Sequence, residues 1–470
     1  MNLNKAKNIF IVGIKGVAMT NLAVILKKMG KSISGSDIQE EFITDKILKE
    51  KQIEVFSGFS KELIPAHCDL VIYGAAHNGA SNAQVTEAQK RKIPVVSQAE
   101  FLGNLLDLFE TRIAVCGSHG KTTTSSLLAH SLLKLGAKPS YLVGSSSFGK
   151  YLGGDLGDRK YFIVEADEYG VEPPVNKQPK FSYLDPQHIL CTNIDFDHPD
   201  VYANLDEVKQ AFASFFQKRK KLFLCADDFA TMSITATFPT SSYFTFGYDR
   251  SADIKARNYQ SKGEETEFEI EYQGKRESLK IRLFGKKNVS NACGVIAVLL
   301  NLGFAMTDIK AAIRDFSGAK RRFELRAYQN EIYLFDDYAH HPAEIKATIR
   351  AARERFRDHR ILVIFQPHTF SRTKALLHEF GESLTEADRA FLAPIFPSAR
   401  EKPANFPITS DDIVRVSGNT RSNIQAFSKT EDLVGAFSKI VKRKDVVFTM
   451  GAGDIYKLDN DIIELIKRID

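Results

Sequence analysis

The 470-residue chain is too long for one ordinary hydrophobic core, so its length predicts about three domains. Hydrophobic residues at 43% and charged residues at 26% are typical of a globular enzyme, and a net charge of +6 without a long basic tract indicates no nucleic-acid partner. Scattered cysteines without CxxC spacing, and no apolar stretch of roughly 20 residues, predict a cytoplasmic protein without membrane insertion.

The chain opens with a pattern typical of a nucleotide-binding α/β domain. A short apolar strand runs into Gly13 and Gly16, an apolar helical segment follows, and Asp37 places a carboxylate about twenty residues further on. Lys15 stands near a position where the dinucleotide fingerprint has a glycine, so the pattern favours a sugar nucleotide or another nucleotide over NAD(P). His77 follows a later strand, at the edge where such sheets bind ligands, but a solvated loop explains it equally well.

The clearest motif follows a fresh strand that begins near residue 112. A short β-branched run, 113–116, leads into a glycine turn, and a helical segment follows directly. This arrangement cradles a phosphate because backbone N–H groups point inward and the helix dipole favours negative charge. The loop is shorter than the general GxxxxGK[ST] pattern, which would have a glycine at Val115. The predicted ATP-binding residues here are Gly117, Ser118, His119, Gly120, Lys121, Thr122 and Thr123.

Two later strands are followed by acidic and imidazole groups. The first, predicted over 161–168, ends in the three acids Glu165, Asp167 and Glu168. The second, predicted over 188–195, is followed by Asp197 and His198. Such groups beyond a phosphate loop predict a Mg²⁺ site beside the triphosphate. Helix caps and solvated turns are the competing interpretation.

The region 243–283 predicts an antiparallel β edge, and a long apolar helix follows it. Asn288 and Asn291 are three residues apart and share a face of this helix. They are candidates for contacts with a purine edge, and ordinary capping is the alternative.

In the last third, two predicted strands each end in polar clusters. The first precedes Asp-Asp-Tyr-Ala-His-His-Pro, and the second precedes Gln-Pro-His-Thr-Phe-Ser-Arg, which ends at Arg372. The carboxyl ends of such strands form the usual ligand-binding rim of an α/β sheet. Imidazoles and a guanidinium there favour recognition of a carboxylate or phosphate, although His341 also fits a structural role.

Together these motifs resemble those of the Mur ligase family, the ATP-dependent amide-bond-forming enzymes of peptidoglycan precursor synthesis. The resemblance runs nearly end to end and includes Gly-Ser-His-Gly-Lys-Thr-Thr, Glu-Ala-Asp-Glu, Thr-Asn-Ile-Asp-Phe-Asp-His, Lys-Asn-Val-Ser-Asn-Ala and Asp-Asp-Tyr-Ala-His-His-Pro. The segments 34–37 and 365–373 most resemble the branch that adds L-alanine. Lys15 and Lys287 depart from the family pattern, and Tyr169 is typical of the branch that recycles a whole tripeptide.

The resemblance implies three α/β domains and a reaction. It implies a Rossmann-like sugar-nucleotide domain over 1–110, a P-loop ATPase-like domain over 111–325, and a Rossmann-like amino-acid domain over 326–470. ATP would phosphorylate the lactyl carboxylate of UDP-N-acetylmuramate, and the amine of L-alanine would attack the acyl phosphate. The alternatives are the tripeptide-recycling ligase, a folate-type polyglutamylating ligase and a non-catalytic, nucleotide-gated binding protein.

The resemblance also implies a role for each candidate residue. Lys121, Glu165 and His198 would be catalytic, and Thr122, Glu165 and His198 would hold Mg²⁺. The remaining implied roles are ATP binding by Asn288, Asn291 and Arg322, UDP-sugar binding by Gly13, Gly16, Asp37 and His77, and amino-acid binding by Tyr338, His340, His368 and Arg372.

Overall fold

The computed structural model describes residues 5–397, 401, 406–418 and 423–469. The strands are β1 (Asn8–Val12), β2 (Ser32–Asp37), β3 (Glu54–Ser57), β4 (Leu70–Tyr73), β5 (Val95–Ser97), β6 (Thr111–Cys116), β7 (Ser140–Phe148), β8 (Tyr151–Asp155), β9 (Tyr161–Glu165), β10 (Gly170–Glu172), β11 (Asn176–Pro179), β12 (His188–Cys191), β13 (Lys221–Cys225), β14 (Tyr243–Gly247), β15 (Ile254–Lys262), β16 (Glu265–Tyr272), β17 (Lys275–Ile281), β18 (Glu324–Gln329), β19 (Ile332–Asp337), β20 (Arg360–Phe365), β21 (Arg389–Leu392), β22 (Ile424–Ala426) and β23 (Asp445–Met450).

The α-helices connect these strands and cover the faces of the sheets. They are α1 (Val17–Lys28), α2 (Asp45–Glu50), α3 (Ala83–Lys90), α4 (Gln98–Leu106), α5 (Lys121–Lys134), α6 (Leu205–Phe216), α7 (Phe229–Ser233), α8 (Lys286–Asn301), α9 (Met306–Arg314), α10 (Pro342–Arg355), α11 (Phe370–Ala375), α12 (Leu377–Leu384), α13 (Ser410–Val416), α14 (Thr430–Ser438) and α15 (Asp459–Ile466). Across the described ranges, none of these helices has the length and apolarity needed to cross a membrane.

The N-terminal sheet has the strand order β3-β2-β1-β4-β5, and its neighbouring strands run parallel. The order reverses at β1, so the loops after β1 and β4 flank the crevice where doubly wound sheets bind ligands. Gly13 and His77 lie in these two loops. The predicted α/β class is confirmed in this part of the chain.

The central sheet has the order β17-β16-β15-β14-β13-β12-β6-β9-β7-β8. Its middle strands are parallel, with β6 between β12 and β9. The predicted antiparallel edge is confirmed from β15 to β17, whereas β14 runs parallel to β13 and to β15. The carboxyl ends of β6, β9 and β12 therefore meet at one rim, which carries the phosphate loop (117–123) and the acidic segments.

The C-terminal sheet has the order β18-β19-β23-β20-β21-β22, and β18 runs antiparallel to β19. Its first strand begins at Glu324, two residues before the predicted start of the third domain. The carboxyl ends of β19 and β20 flank that of β23. The two polar clusters predicted after β19 and β20 therefore share one edge of this sheet.

The N-terminal and central domains pack through a continuous apolar cluster. Ile9 and Leu22 belong to the same buried cluster as Phe162 and Phe212 of the central domain. Asn21 on α1 also donates through Nδ2 to the carbonyl oxygens of Val143 at 3.0 Å and Ser145 at 2.9 Å. Burial of these groups fixes α1 against β7 and brings the loop that contains Gly16 towards the central rim.

Candidate active site

The phosphate loop joins β6 directly to α5, as the sequence predicts. Gly117 has φ +132°, and a Cβ atom there would lie 2.1 Å from Thr192 Oγ1, so only glycine fits. Gly120 is also left-handed, with φ +80°, and α5 begins at the next residue. The loop and the first turn of α5 thus leave backbone N–H groups without intrahelical partners, the arrangement that binds a phosphate.

Lys121 is held at the start of α5 by three oxygen atoms. Its Nζ donates to the carbonyl oxygens of Gly117 at 2.7 Å and Ser118 at 3.2 Å, and to Glu168 Oε2 at 2.8 Å. Burial disfavours its charge, but the carboxylates of Glu168 and Asp167 outweigh burial and raise the pKa of Lys121. The side chain is therefore a fixed cation beside the loop.

Thr122 and Glu165 form the second part of the site. Thr122 Oγ1 donates to Glu165 Oε1 at 2.9 Å and accepts from Arg322 Nη2 at 3.1 Å. The backbone N–H of Gly144 donates to Glu165 Oε2 at 2.7 Å. Burial and the nearby Asp167 carboxylate raise the pKa of Glu165. A hydroxyl and a carboxylate in a region of concentrated negative charge are ligands that suit a hard cation.

His198 lies in a separate cluster with Glu168 and Asp197. One ligand atom from each of the three residues lies within 4.8 Å of the other two. Burial, with the nearby charges of Arg372 and Lys121, lowers the pKa of His198 to about 3, so the imidazole is neutral at pH 7. The sequence places Glu168 among the acids at the end of the first predicted strand, but the resemblance did not imply it as a metal ligand. Its Oε1 is buried and accepts no hydrogen bond from the described residues, as expected of a carboxylate that faces a cation site.

The strand predicted over 188–195 ends at Cys191, because the following residues bond to the phosphate loop. Thr192 Oγ1 and Asn193 Nδ2 donate to the carbonyl oxygen of His119 at 2.6 and 2.9 Å. The backbone N–H of Asp195 donates to Ser118 Oγ at 2.8 Å. The segment after β12 therefore supports the loop instead of continuing the sheet.

The predicted amino-acid residues line the facing wall. Tyr338 lies under the Arg322 guanidinium at 4.7 Å, and the His340 and His368 rings meet edge to face at 6.2 Å. Burial lowers the pKa of His340 to about 4. Arg372 is buried and donates through Nε to Asp197 Oδ1 at 2.8 Å, which ties the C-terminal domain to the central domain.

Burial favours the neutral acid at Asp197, but the Arg372 guanidinium outweighs it and holds the pKa of Asp197 well below its usual range. Arg321, the neighbour of Arg322, is also buried, and its Nε donates to Asp336 Oδ2 at 3.0 Å. The Arg321–Asp336 ion pair was not predicted from the sequence. Arg321 bonds to Asp336 of the C-terminal domain and Arg322 bonds to Thr122 of the central domain, so the two adjacent arginines contact different domains.

A cavity of about 1060 Å³ lies between the three domains. The predicted site residues that line it are Gly16, Ser118, Gly120, Lys121, Thr122, Glu165, His198, Arg322, Tyr338, His340, His368 and Arg372. The predicted site residues outside its lining are Gly13, Asp37, His77, Gly117, His119, Thr123, Asn288 and Asn291. A volume of this size suits a ligand larger than one amino acid.

The N-terminal candidates lie together beside this cavity. His77 Nε2 lies 3.3 Å from Asp37 Oδ1, and a Cβ atom on Gly13 would lie 3.6 Å from the His77 ring. The backbone N–H of Lys15 donates to Asp37 Oδ2 at 2.8 Å. The Lys15 ammonium turns away to the carbonyl oxygen of Glu40 at 2.8 Å. Lys15 thus supports the loop and does not present its charge at Gly13.

The two asparagines of α8 have different environments. Asn288 Nδ2 donates to the carbonyl oxygen of Phe284 at 2.8 Å, a local contact at the helix start. Asn291 is buried, and a Cβ atom on Gly120 would lie 2.8 Å from its Nδ2. Asn291 therefore supports the phosphate loop directly.

Three family models match the chain in succession. The model "Mur ligase family, catalytic domain" matches residues 8–110, "Mur ligase middle domain" matches 115–299, and "Mur ligase, glutamate ligase domain" matches 321–453. These ranges contain the glycine loop, the phosphate loop and the polar clusters of the C-terminal sheet.

Named relatives match over the same length. The UDP-N-acetylmuramate–L-alanine ligase of Lactiplantibacillus plantarum is 37% identical, and the match covers 97% of this chain and 98% of that protein. The enzyme of the same name from Chlorobium phaeobacteroides is 34% identical, over 99% and 98%.

Solved structures show the same fold. The UDP-N-acetylmuramate–alanine ligase of Thermotoga maritima matches with a TM-score of 0.79 and 25% identity, over 97% of this chain and 98% of that one. A murein peptide ligase of Psychrobacter arcticus matches in fold with a TM-score of 0.75 and 23% identity, over 99% of both chains. The resemblance seen in the motifs is thereby confirmed, and the chain belongs to the Mur ligase family.

Proposed function

We propose that this protein is an ATP-dependent ligase that forms an amide bond between the lactyl carboxylate of UDP-N-acetylmuramate and the amine of L-alanine. The observation that carries the proposal is the cavity itself. Residues of the phosphate loop, acidic residues that follow β9 and β12, and the C-terminal residues His340 and Arg372 all line it. The full-length similarity to relatives named for this reaction supports the same conclusion.

The geometry supports a mechanism in two steps. A lactyl carboxylate oxygen attacks the γ-phosphorus of ATP, ADP leaves, and an acyl phosphate forms. The amine then attacks the acyl carbon, and phosphate leaves from the tetrahedral intermediate as the amine loses a proton. Lys121 stabilises the charge on the transferring phosphoryl group, and enclosure by three domains shields the acyl phosphate from water.

The residues beside the loop fit a divalent cation, which we propose is Mg²⁺. Thr122, Glu165 and His198 would hold it, and the buried Glu168 beside His198 offers a further oxygen. When bound, the ion would neutralise phosphate charge. In the chain itself, the Glu165 carboxylate orients the Thr122 hydroxyl, and the neutral His198 ring keeps a lone pair available.

Four further assignments belong to this proposal. The uridine diphosphate would lie at Gly13, Gly16, Asp37 and His77, where β1 and β4 end. Asn288, Asn291 and Arg322 would complete the ATP site, the domains would be 1–110, 111–325 and 326–470, and the enzyme would act in the cytoplasm.

An amine-panel assay tests the function directly. With UDP-N-acetylmuramate and ATP present, we expect phosphate release with L-alanine and little release with bulky amino acids, because a small pocket excludes them sterically. Glycine and serine should be separated from alanine by only ~1–3 kcal/mol. Efficient use of the L-alanyl tripeptide with L-alanine inert would contradict this specificity and assign the chain to the recycling branch.

Glu165→Gln and His198→Ala should each raise the Mg²⁺ concentration that gives half-maximal activity. The first substitution removes the charge of a ligand and the second removes the ligand itself, but neither changes the phosphate-loop sequence, so the effect should lie in the metal titration rather than in ATP specificity. Glu207→Gln, in the first turn of α6, is a control outside the described cavity lining. Unchanged metal titrations in both site variants would show that these residues are structural.

A further inference from the structure

His119 lies between carboxylates from two domains. Its Nε2 lies 3.1 Å from Asp195 Oδ2 of the central domain, and its Nδ1 lies 3.4 Å from Glu344 Oε1 in the first turn of α10. The ring also packs against that of His341, with a centroid distance of 4.4 Å and a tilt of 37° between the ring planes. We call Asp195, His119 and Glu344 the His119 bridge.

We propose that His119 is a positioning residue that ties the phosphate loop to α10 in the closed arrangement, and that it is not a phosphate ligand. Both ring nitrogens face protein carboxylates, so neither N–H is directed to a nucleotide. His119 does not line the cavity, whereas its neighbours Ser118 and Gly120 do. Its backbone N–H donates to Asn193 Oδ1 at 3.0 Å, so the main-chain donor is also used within the protein.

The chemistry of the ring supports this role. A carboxylate beside each ring nitrogen favours the imidazolium form. Burial disfavours that charge, but Asp195 at Nε2 and the nearby Glu344 carboxylate outweigh burial and raise the pKa of His119 to about 10. The adjacent His341 has a lowered pKa because of burial and the His119 charge, so one ring of the pair is charged and the other is neutral. A largely buried cation shared by two carboxylates is costly to separate, because separation leaves charges without partners.

Glu344 connects the bridge to the amine side of the cavity. Its Oε2 accepts from the backbone N–H of His340 at 3.1 Å and of His341 at 3.4 Å, within the capping box of α10. One carboxylate therefore fixes both His119 and the backbone at His340, which lines the cavity. Loss of the bridge should disturb the amine side and domain closure but leave the nucleotide cradle intact.

The test is a double-mutant cycle with His119→Gln, Glu344→Gln and the double variant. Glutamine at 344 retains an oxygen for the capping box and removes the charge. The control is Glu386→Gln, which breaks the Arg350–Glu386 ion pair within the C-terminal domain. The three readouts are steady-state kinetics for L-alanine, calorimetry with a non-hydrolysable ATP analogue, and the radius of gyration from X-ray scattering with that analogue bound.

We expect each single variant to lower kcat/KM for L-alanine by about tenfold, and the double variant to lose little more, since coupled residues are not additive. The dissociation constant of the ATP analogue should stay within about twofold of the wild-type value, and the radius of gyration should increase, because an interdomain contact is lost. The control should match the wild type in all three readouts.

Two results would overturn the proposal. One is a large loss of ATP-analogue affinity in His119→Gln without a change in scattering, which would make His119 a nucleotide ligand. The other is full additivity of the two substitutions in the scattering and kinetic data. The kinetic readout rests on the proposed ligase function, whereas the scattering and calorimetry require only that the protein binds the ATP analogue. A wild-type protein without ligase activity would therefore refute the function, and the scattering and calorimetry would still test the bridge. If His119→Gln fails to fold, Glu344→Gln carries the same comparison from the other domain.

Discussion

Replacement of Lys121 by alanine should lower kcat by about a thousandfold or more, because the transferring phosphoryl group loses a fixed positive charge. Lys121 Nζ donates to the carbonyl oxygens of Gly117 and Ser118 and to the Glu168 carboxylate. These hydrogen bonds hold the ammonium group beside the phosphate loop. The other cationic side chain of the loop, His119, is paired with Asp195 and Glu344 and does not line the cavity. ATP-dependent phosphate release with UDP-N-acetylmuramate and L-alanine measures the effect.

The substitution also leaves Glu168 without its cation, so thermal unfolding must accompany the kinetics. Some loss of stability is expected, because a buried carboxylate that loses its partner is destabilising. Lys134→Ala is a matched control, since Lys134 lies at the far end of the same helix and pairs with Asp315 outside the cavity. Near-normal turnover in a folded Lys121→Ala protein would refute the phosphate-loop assignment.

The sequence predicts the parts of the site that are local. The phosphate loop is recognisable because Gly117, Gly120 and Lys121 occupy fixed positions between a strand and a helix, and chain geometry alone places them. The strand predicted over 188–195 is too long, because the residues after Cys191 form hydrogen bonds with the phosphate loop instead of continuing the sheet. Apolar periodicity carries no information about such long-range bonds.

The contacts between domains are the parts that the sequence does not predict. Arg372 and Asp197 are 175 positions apart, and each lies in a separate polar motif. Their pairing depends on how the C-terminal sheet docks on the central rim, which no local pattern encodes. The same holds for the approach of His119 to Glu344, whereas the prediction that His119 binds ATP rests only on its place in the loop.

The position of Tyr169 determines how strongly this residue indicates the identity of the amine substrate. Its ring lies 5.2 Å from that of His198, and the Lys180 ammonium lies 4.5 Å from its ring centre. Tyr169 thus contacts the proposed metal side of the cavity, whereas His368 and Arg372 belong to the C-terminal domain. Because that domain is expected to present the amine, its residues say more about the amine than Tyr169 does.

Arg372→Ala should raise the KM for L-alanine far more than the KM for ATP. Arg372 Nε is used on Asp197 and Nη1 reaches the His368 carbonyl oxygen at 3.4 Å, but the side chain still lines the cavity. Its remaining N–H donors are suited to the α-carboxylate of the amino acid, a charge-assisted contact. Loss of such a contact should change the KM for L-alanine by about ten- to a hundredfold.

Arg372→Ala also breaks the buried Arg372–Asp197 ion pair between two domains. Altered domain docking is therefore a second explanation for an increase in the KM for L-alanine, and it can be tested separately. Asp197→Asn breaks the same ion pair but leaves the guanidinium in place. If Arg372 binds the amino acid, the KM for L-alanine should rise much less in Asp197→Asn than in Arg372→Ala. Equal increases in the two variants would show that Arg372 acts only through domain docking. The neighbouring His340 and His368 would then have to recognise the amino acid, with imidazole rings in place of a fixed cation.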